Sequence, residues 1–197
     1  MSRFRLHLLG AYHATLDGVP LTAFGTDKAR ALLAYLVLEA PRPHTRTRLA
    51  GLLWPDQPEA RALHSLRQAL SQLRKLLRDG DGDTFLLIDR DAVQFNGRSR
   101  YWLDVHAFQQ HRAAAQQHGA RWHVRHVQQA VALYTDPLLD EFLLDDAPLF
   151  DEWAMLWRET LQRQALELLE WLLAYHERRG AYALGRGVAE RLVTLAP

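Results

Sequence analysis

The stretch "HSLRQALSQLRKLL", residues 64–77, repeats leucine at 66, 70, 73 and 77. Steps of three and four residues stack side chains on one face of an α-helix, and Leu63 extends the stripe upstream. The spacing predicts a helix from Glu59 to about Leu77, roughly five turns at 3.6 residues each. With the leucines turned to a core, His64, Arg67, Gln68, Ser71, Gln72, Arg74, Lys75 and Arg78 point outward. That face is polar and basic, and no acid interrupts it between Arg61 and Arg78. Gly80, inside the acidic "DGDGD" loop, is expected to end the helix.

Upstream, "FRLHLLG", "AYHATLDG" and "VPLTAFG" are short apolar runs closed by glycine, with Asp17-Gly18 as a hairpin signal. They read as a small antiparallel sheet over residues 4–23. Thr26 or Asp27 can cap a helix through "KARALLAYLVLEA", stopped by Pro41 and Pro43. Thr45 can cap a second, short helix carrying Leu49, Leu52, Leu53 and Trp54, ended by Pro55. Downstream of the basic helix, "FLLID" and "AVQFN" flank Arg90 and Asp91 and predict a hairpin near 85–96. The order is sheet, helix, helix, long amphipathic helix, hairpin.

After "GRSRYWLD" the texture becomes helical almost throughout. Asp104 is placed to cap "VHAFQQHRAAAQQHG"; "RWHVRHVQQAVALY", the long "APLFDEWAMLWRETLQRQALELLEWLLAYHERRG" and "AYALGRGVAERLVTLAP" follow. The fold class is therefore mixed and mainly α: a winged helix-turn-helix with a small antiparallel sheet and a wing hairpin, then all-α helical hairpins. We expect a DNA-binding domain over residues 1–100 and a helical domain over 104–197. The last segment stops at Pro197, where a helix pair would lack its second member, so the chain reads as part of a longer protein.

The totals agree with this division. The 197 residues allow two small domains, and 48% hydrophobic with 24% charged residues is a globular composition. The longest apolar run, from Ala31, falls far short of a bilayer span, so no membrane partner is expected. Zero cysteines and no secretory signal point to a reducing cytoplasm. The net charge of +1 hides an asymmetry: residues 1–104 carry 15 Lys and Arg against 11 Asp and Glu, residues 105–197 carry 9 against 12.

Two short helices, a longer one and a hairpin suit a recognition helix in the major groove with a wing on the neighbouring backbone. The residue types fit that task. Arg67 and Arg74 can pair bidentately with guanine, and Gln68 with adenine, while Lys75, Ser71 and His64 offer further polar contacts. Thr45, Arg46 and Thr47 combine hydroxyls, a charge and free backbone N–H groups at a helix start, which suits a phosphate. Arg90 falls at the expected wing tip. The candidate DNA-binding residues are thus Arg67, Arg74, Lys75, Ser71, Gln68, His64, Arg46, Thr45 and Arg90, with double-stranded DNA as partner.

"RFRLHLLG", "LDGVPL", "YWLDVHAFQQH" and above all "LLWPD...AR..LRQALS.LRK.L" resemble the N-terminal part of the SARP family of bacterial transcriptional activators. The resemblance extends in weaker form through "AVALYTDPLLDEF" and "FDEW". It implies an OmpR-type winged helix followed by a bacterial transcriptional activator domain related to tetratricopeptide repeats. It also implies directly repeated promoter sites, recruitment of RNA polymerase, and Arg67, Ser71, Arg74 and Lys75 as recognition-helix positions; self-association on DNA is expected alongside. The chain departs from the family at Asp136, where glycine is usual, and in the wing, where "DRDAVQFNG" replaces a Gly-Tyr.

Other chemistries find little support. No G-x-x-x-x-G-K-[ST] assigns a nucleotide, and no cofactor is expected. Ser2, Ser65, Ser71 and Ser99 are the only serines and none lies in G-x-S-x-G, so an enzyme is not expected. His118, His123 and His126 lack cysteine or carboxylate companions at ligand spacing and read as solvated or capping, not as a metal site. The acidic group Asp140, Glu141, Asp145, Asp146, Asp151 and Glu152 reads as a solvated loop, or second as a docking surface. Trp153, Trp157 and Trp171 read as core. The alternative function is a helical-repeat adaptor that binds proteins and no specific DNA.

Overall fold

The computed structural model of the chain describes residues 3–79, 84–116 and 122–195. Its elements run β1 (Phe4–His7), β2 (His13–Leu16), β3 (Val19–Pro20), α1 (Asp27–Leu38), β4 (His44–Thr45), α2 (Arg46–Leu53) and α3 (Glu59–Leu76). They continue with β5 (Leu86–Ile88), β6 (Ala92–Phe95), β7 (Tyr101–Leu103), α4 (Asp104–Gln116), α5 (Val124–Leu133), α6 (Pro148–Arg178) and α7 (Tyr182–Leu195). The chain forms two compact units. One contains the residues up to Leu6, His13–Trp102 and Glu141–Ala154; the other contains His7–Tyr12, Leu103–Asp140 and Met155 onward.

In the first unit, Asp17 and Gly18 both take positive φ, 52° and 81°, the pair of values a type I′ turn demands. They join β2 to β3 in a sheet of order β3-β2-β1-β7. Thr26 accepts the Ala29 N–H at 3.2 Å and so caps α1, whose Leu32, Leu33, Leu36 and Val37 are fully buried. Against it pack Leu66, Leu70, Leu73 and Leu77, all buried, as the leucine spacing predicted. Leu63 departs from that expectation: it is only half-buried. A second sheet of order β4-β6-β5 closes the unit, and Phe4, Phe85 and Phe95 meet beneath the strands with ring centroids 5.6 to 6.4 Å apart. Phe4 meets its two neighbours edge-on and tilted, and Phe85 and Phe95 stack, geometries aromatic rings favour.

The pairing of β4 with β6 and the addition of β7 to the first sheet had no sequence signal. Two residues are too few for an alternating pattern, and "YWL" alternates no better. Their pairing is a product of proximity in the folded unit.

In the second unit, α4 and α5 form a pair and α6 and α7 another, the latter through a turn at Gly180 with φ 67°. Buried Gly185 faces α6, where a Cβ would stand 3.6 Å from Leu173 and 3.7 Å from His176, ordinary contact distances. Asp104 starts α4, where capping was expected of it, and also binds a distant segment. Its Oδ2 accepts the N–H groups of Leu8 at 2.7 Å and Leu9 at 2.8 Å, while Oδ1 accepts that of Val105. Burial outweighs these bonds and raises its carboxyl above the ordinary aspartate range. The neighbouring backbone of residues 8–10 is held by Leu139 N–H to Leu8 O at 2.7 Å and Gly10 N–H to Pro137 O at 3.0 Å. Gly10 sits at φ 98°, a conformation that favours glycine, and a Cβ there would stand a close 3.3 Å from the Thr135 hydroxyl.

The tryptophans expected in the core are instead half-buried. Trp153 lies 4.9 Å from the Tyr35 ring and donates to Glu39 at 2.8 Å; Trp171 stacks between Trp122 and Tyr175. Their polar edges and width suit the margin of a core better than its centre. In the acidic group, Asp146 pairs with Lys28 at 2.6 Å. His111 and His126 bring their Nδ1 atoms to 3.4 Å, and among the described residues no cluster of three or more ligand-type side chains could hold a metal. His118, Gly80 and Pro197 lie outside the described residues. Among the described residues, no helix is long and apolar enough to cross a membrane.

Candidate nucleic-acid interface

Three separate elements build the basic surface. α3 carries Arg67, Ser71, Arg74 and Lys75 at spacings of 4, 3 and 1, which places all four exposed side chains toward one side of the helix. α2 begins immediately after β4, so the pairing of Thr45 with Ala92 sets where its first turn lies. The Thr45 hydroxyl accepts the Arg48 N–H at 3.3 Å, and Arg46 N–H reaches Asp91 O at 3.1 Å. The wing turn between β5 and β6 is then held from both sides. Asp89 Oδ1 accepts Asp91 N–H at 2.8 Å and Ala92 N–H at 2.6 Å, bonds that hold its carboxyl below the usual range. Arg46 donates from Nε at 3.2 Å and Nη2 at 2.8 Å to Asp89 O. One arginine thereby ties the start of α2 to the wing.

The result is two adjoining grooves. Arg46, Arg67, Ser71, Arg74 and Lys75 surround one, with Leu70 and Ile88 as its apolar lining. Arg46, Arg67 and Arg90 surround the other, with Ala60 and Leu63. Five cations thus converge, though Arg74 stands 3.8 Å from Asp79, whose side chain is 1% exposed and also accepts the Phe85 N–H. The convergence favours a polyanion lying across α3, α2 and the wing.

The structure splits the outward face expected of α3. Gln68 sits about 100° from Arg67 around the helix and lines a different groove, with Phe24, Thr26, Lys28, Trp54, Ser65 and Gln72. Gln72, expected to point outward, donates to Ala23 O at 2.8 Å. His64 is exposed and lines neither basic groove. Asp89, Asp79, Ile88 and Leu63 were absent from the residues picked out as a site. For Asp89 a signal existed, since an aspartate at a hairpin corner commonly binds the backbone two or three residues on.

Residues 22–90 match the family described as "Transcriptional regulatory protein, C terminal". The transcriptional regulatory protein EmbR of Mycobacterium tuberculosis H37Rv is 41% identical over 75 residues, 38% of this chain and 19% of that protein. The regulatory protein AfsR of Streptomyces coelicolor is 30% identical over 179 residues, 91% of this chain and 17% of that protein. The chain therefore spans under a fifth of the length of these curated relatives. The first is named as a transcriptional regulatory protein and the second as a regulatory protein. A solved structure, M. tuberculosis EmbR in complex with a low-affinity phosphopeptide, superposes with TM-score 0.60 at 22% identity, covering 100% of this chain and 66% of that one. That likeness speaks to the fold. An OmpR-type regulatory domain over residues 22–90 and regulatory relatives matching along the chain bear out its resemblance to the SARP family of regulators.

Proposed function

We propose that the chain is a sequence-specific DNA-binding regulator, an activator that occupies directly repeated promoter sites through helix 60–78 and recruits RNA polymerase. Residues 1–100 carry the DNA-binding role and 104–197 an interaction role. The single observation behind this reading is the gathering of Arg46, Arg67, Arg74, Lys75 and Arg90 from three elements around shared grooves. Phosphate contacts by Arg46, Lys75 and the helix start at Thr45 supply salt-sensitive affinity. Arg67, Arg74 and Ser71 supply discrimination at base edges, about 1 to 3 kcal/mol for each good bidentate pair. Gln68 and His64 take flanking contacts, and Arg90 reaches the backbone beside the groove. Copies bound at adjacent repeats associate on the DNA.

The test is selection of duplexes from a fragmented genome by the purified 197-residue chain, in parallel with an Arg67→Ala, Arg74→Ala, Lys75→Ala variant. Enrichment of a repeated motif by the parent alone supports the reading. Enrichment by neither protein refutes it and favours the adaptor role, to which the exposed Tyr182, Leu184 and Val193 of α7 already lend some weight.

A further inference from the structure

Of the five leucines in the α3 stripe, Leu66, Leu70, Leu73 and Leu77 are buried and Leu63 is not. Leu63 lines an open groove of about 450 Å³ with Ala60, and Arg46, Arg67 and Arg90 complete its wall. An apolar patch beside three guanidinium groups makes two demands on whatever occupies it. The arginines call for anions, while Leu63 and Ala60 call for an apolar group small enough to lie between them. DNA meets both demands at one place. The major-groove edge of thymine carries a C5 methyl, absent from the other three bases, and phosphates flank it on either strand.

We infer that this groove reads the C5 methyl of a thymine, with Leu63 and Ala60 as the apolar contact and Arg46 and Arg90 on the flanking phosphates; the inference rests on the DNA-binding reading above. Register follows from helix geometry. Leu63 and Arg67 lie four residues apart, about 6 Å along the helix axis. Base pairs are stacked about 3.4 Å apart, so the thymine falls within about two base pairs of the one Arg67 contacts.

The experiment uses the full 197-residue chain and a duplex bearing its selected motif, with each thymine replaced singly by deoxyuridine. That exchange removes the methyl and keeps every hydrogen-bonding group. Expected is one position where affinity falls about fourfold, the equivalent of one buried methylene. It should lie within two base pairs of the position at which Arg67→Ala relaxes base preference. In Leu63→Ala the uracil penalty at that position should vanish while the salt dependence of binding stays as in the parent.

If a motif is selected but no uracil exchange changes affinity, or the penalty persists in folded Leu63→Ala, the inference is overturned and DNA binding stands. If the unaltered chain selects no motif, the DNA reading itself fails, and this inference with it. Because the uracil series needs only the unaltered chain, a folding defect in Leu63→Ala leaves it decisive.

Discussion

Removing Arg67, Arg74 and Lys75 together should change how binding responds to salt by an amount the structure fixes in advance. Five cations line the two grooves: Arg46, Arg67, Arg74, Lys75 and Arg90. A cation held in the groove also lowers the local charge of the duplex when it faces a base edge; if each of the five thereby displaces one counterion from B-DNA, the logarithm of affinity falls with the logarithm of salt with a slope of about −4.5. Between 50 and 200 mM salt that is a loss of roughly 500-fold. The triple alanine variant keeps Arg46 and Arg90, so its slope should be about −1.8 and its loss roughly 12-fold. Arg74 lies 3.8 Å from the Asp79 carboxylate, which offsets part of its charge. The slope change is therefore bounded between about 1.8, with Arg74 silent, and about 2.7, with Arg74 fully engaged. Fluorescence anisotropy on a labelled duplex over a salt series measures it, with circular dichroism to verify folding. A folded triple variant with the parent slope would refute the placing of these three cations against DNA.

Arg46→Ala should weaken all duplexes alike, because Arg46 is tied to the wing backbone, whereas Arg67→Ala should relax base preference; equal loss of specificity in both would contradict that division. Asp104→Ala strands the N–H groups of Leu8, Leu9 and Val105 in a buried site, and urea titration should show a loss of about 2 to 4 kcal/mol, with Asp104→Asn milder because one acceptor remains. Burial lowers the pKa of His44, His106 and His111, with Glu39 opposing at His44 and His126 adding to the effect at His111. The unfolded chain then binds protons more readily, so stability is full above the ordinary histidine value and declines as pH falls through it toward the depressed folded values. A melting temperature lower at pH 5.5 than at 7.5 is expected; an unchanged one would show that these histidines titrate alike in both states.

Much of the fold was legible because the relevant signals are local. Helix periodicity located α1, α3 and α6, Thr26 and Thr45 cap the helices they precede, and Asp17-Gly18 makes the hairpin turn it encodes. The basic character of α3 is likewise a property of one segment. What no local pattern contains is which distant segments stand beside that helix. Arg46 joins Arg67 and Arg90 because β4 pairs with β6, a two-residue ladder with a long loop to close. Gln68 parts from Arg67, and Leu63 leaves the core for the groove, because the packing of α3 against its neighbours sets how far the helix is rotated. Composition and spacing determined that this chain would offer a basic helix; the partners around it, and so the shape of what it can read, were decided by contacts between residues far apart in sequence.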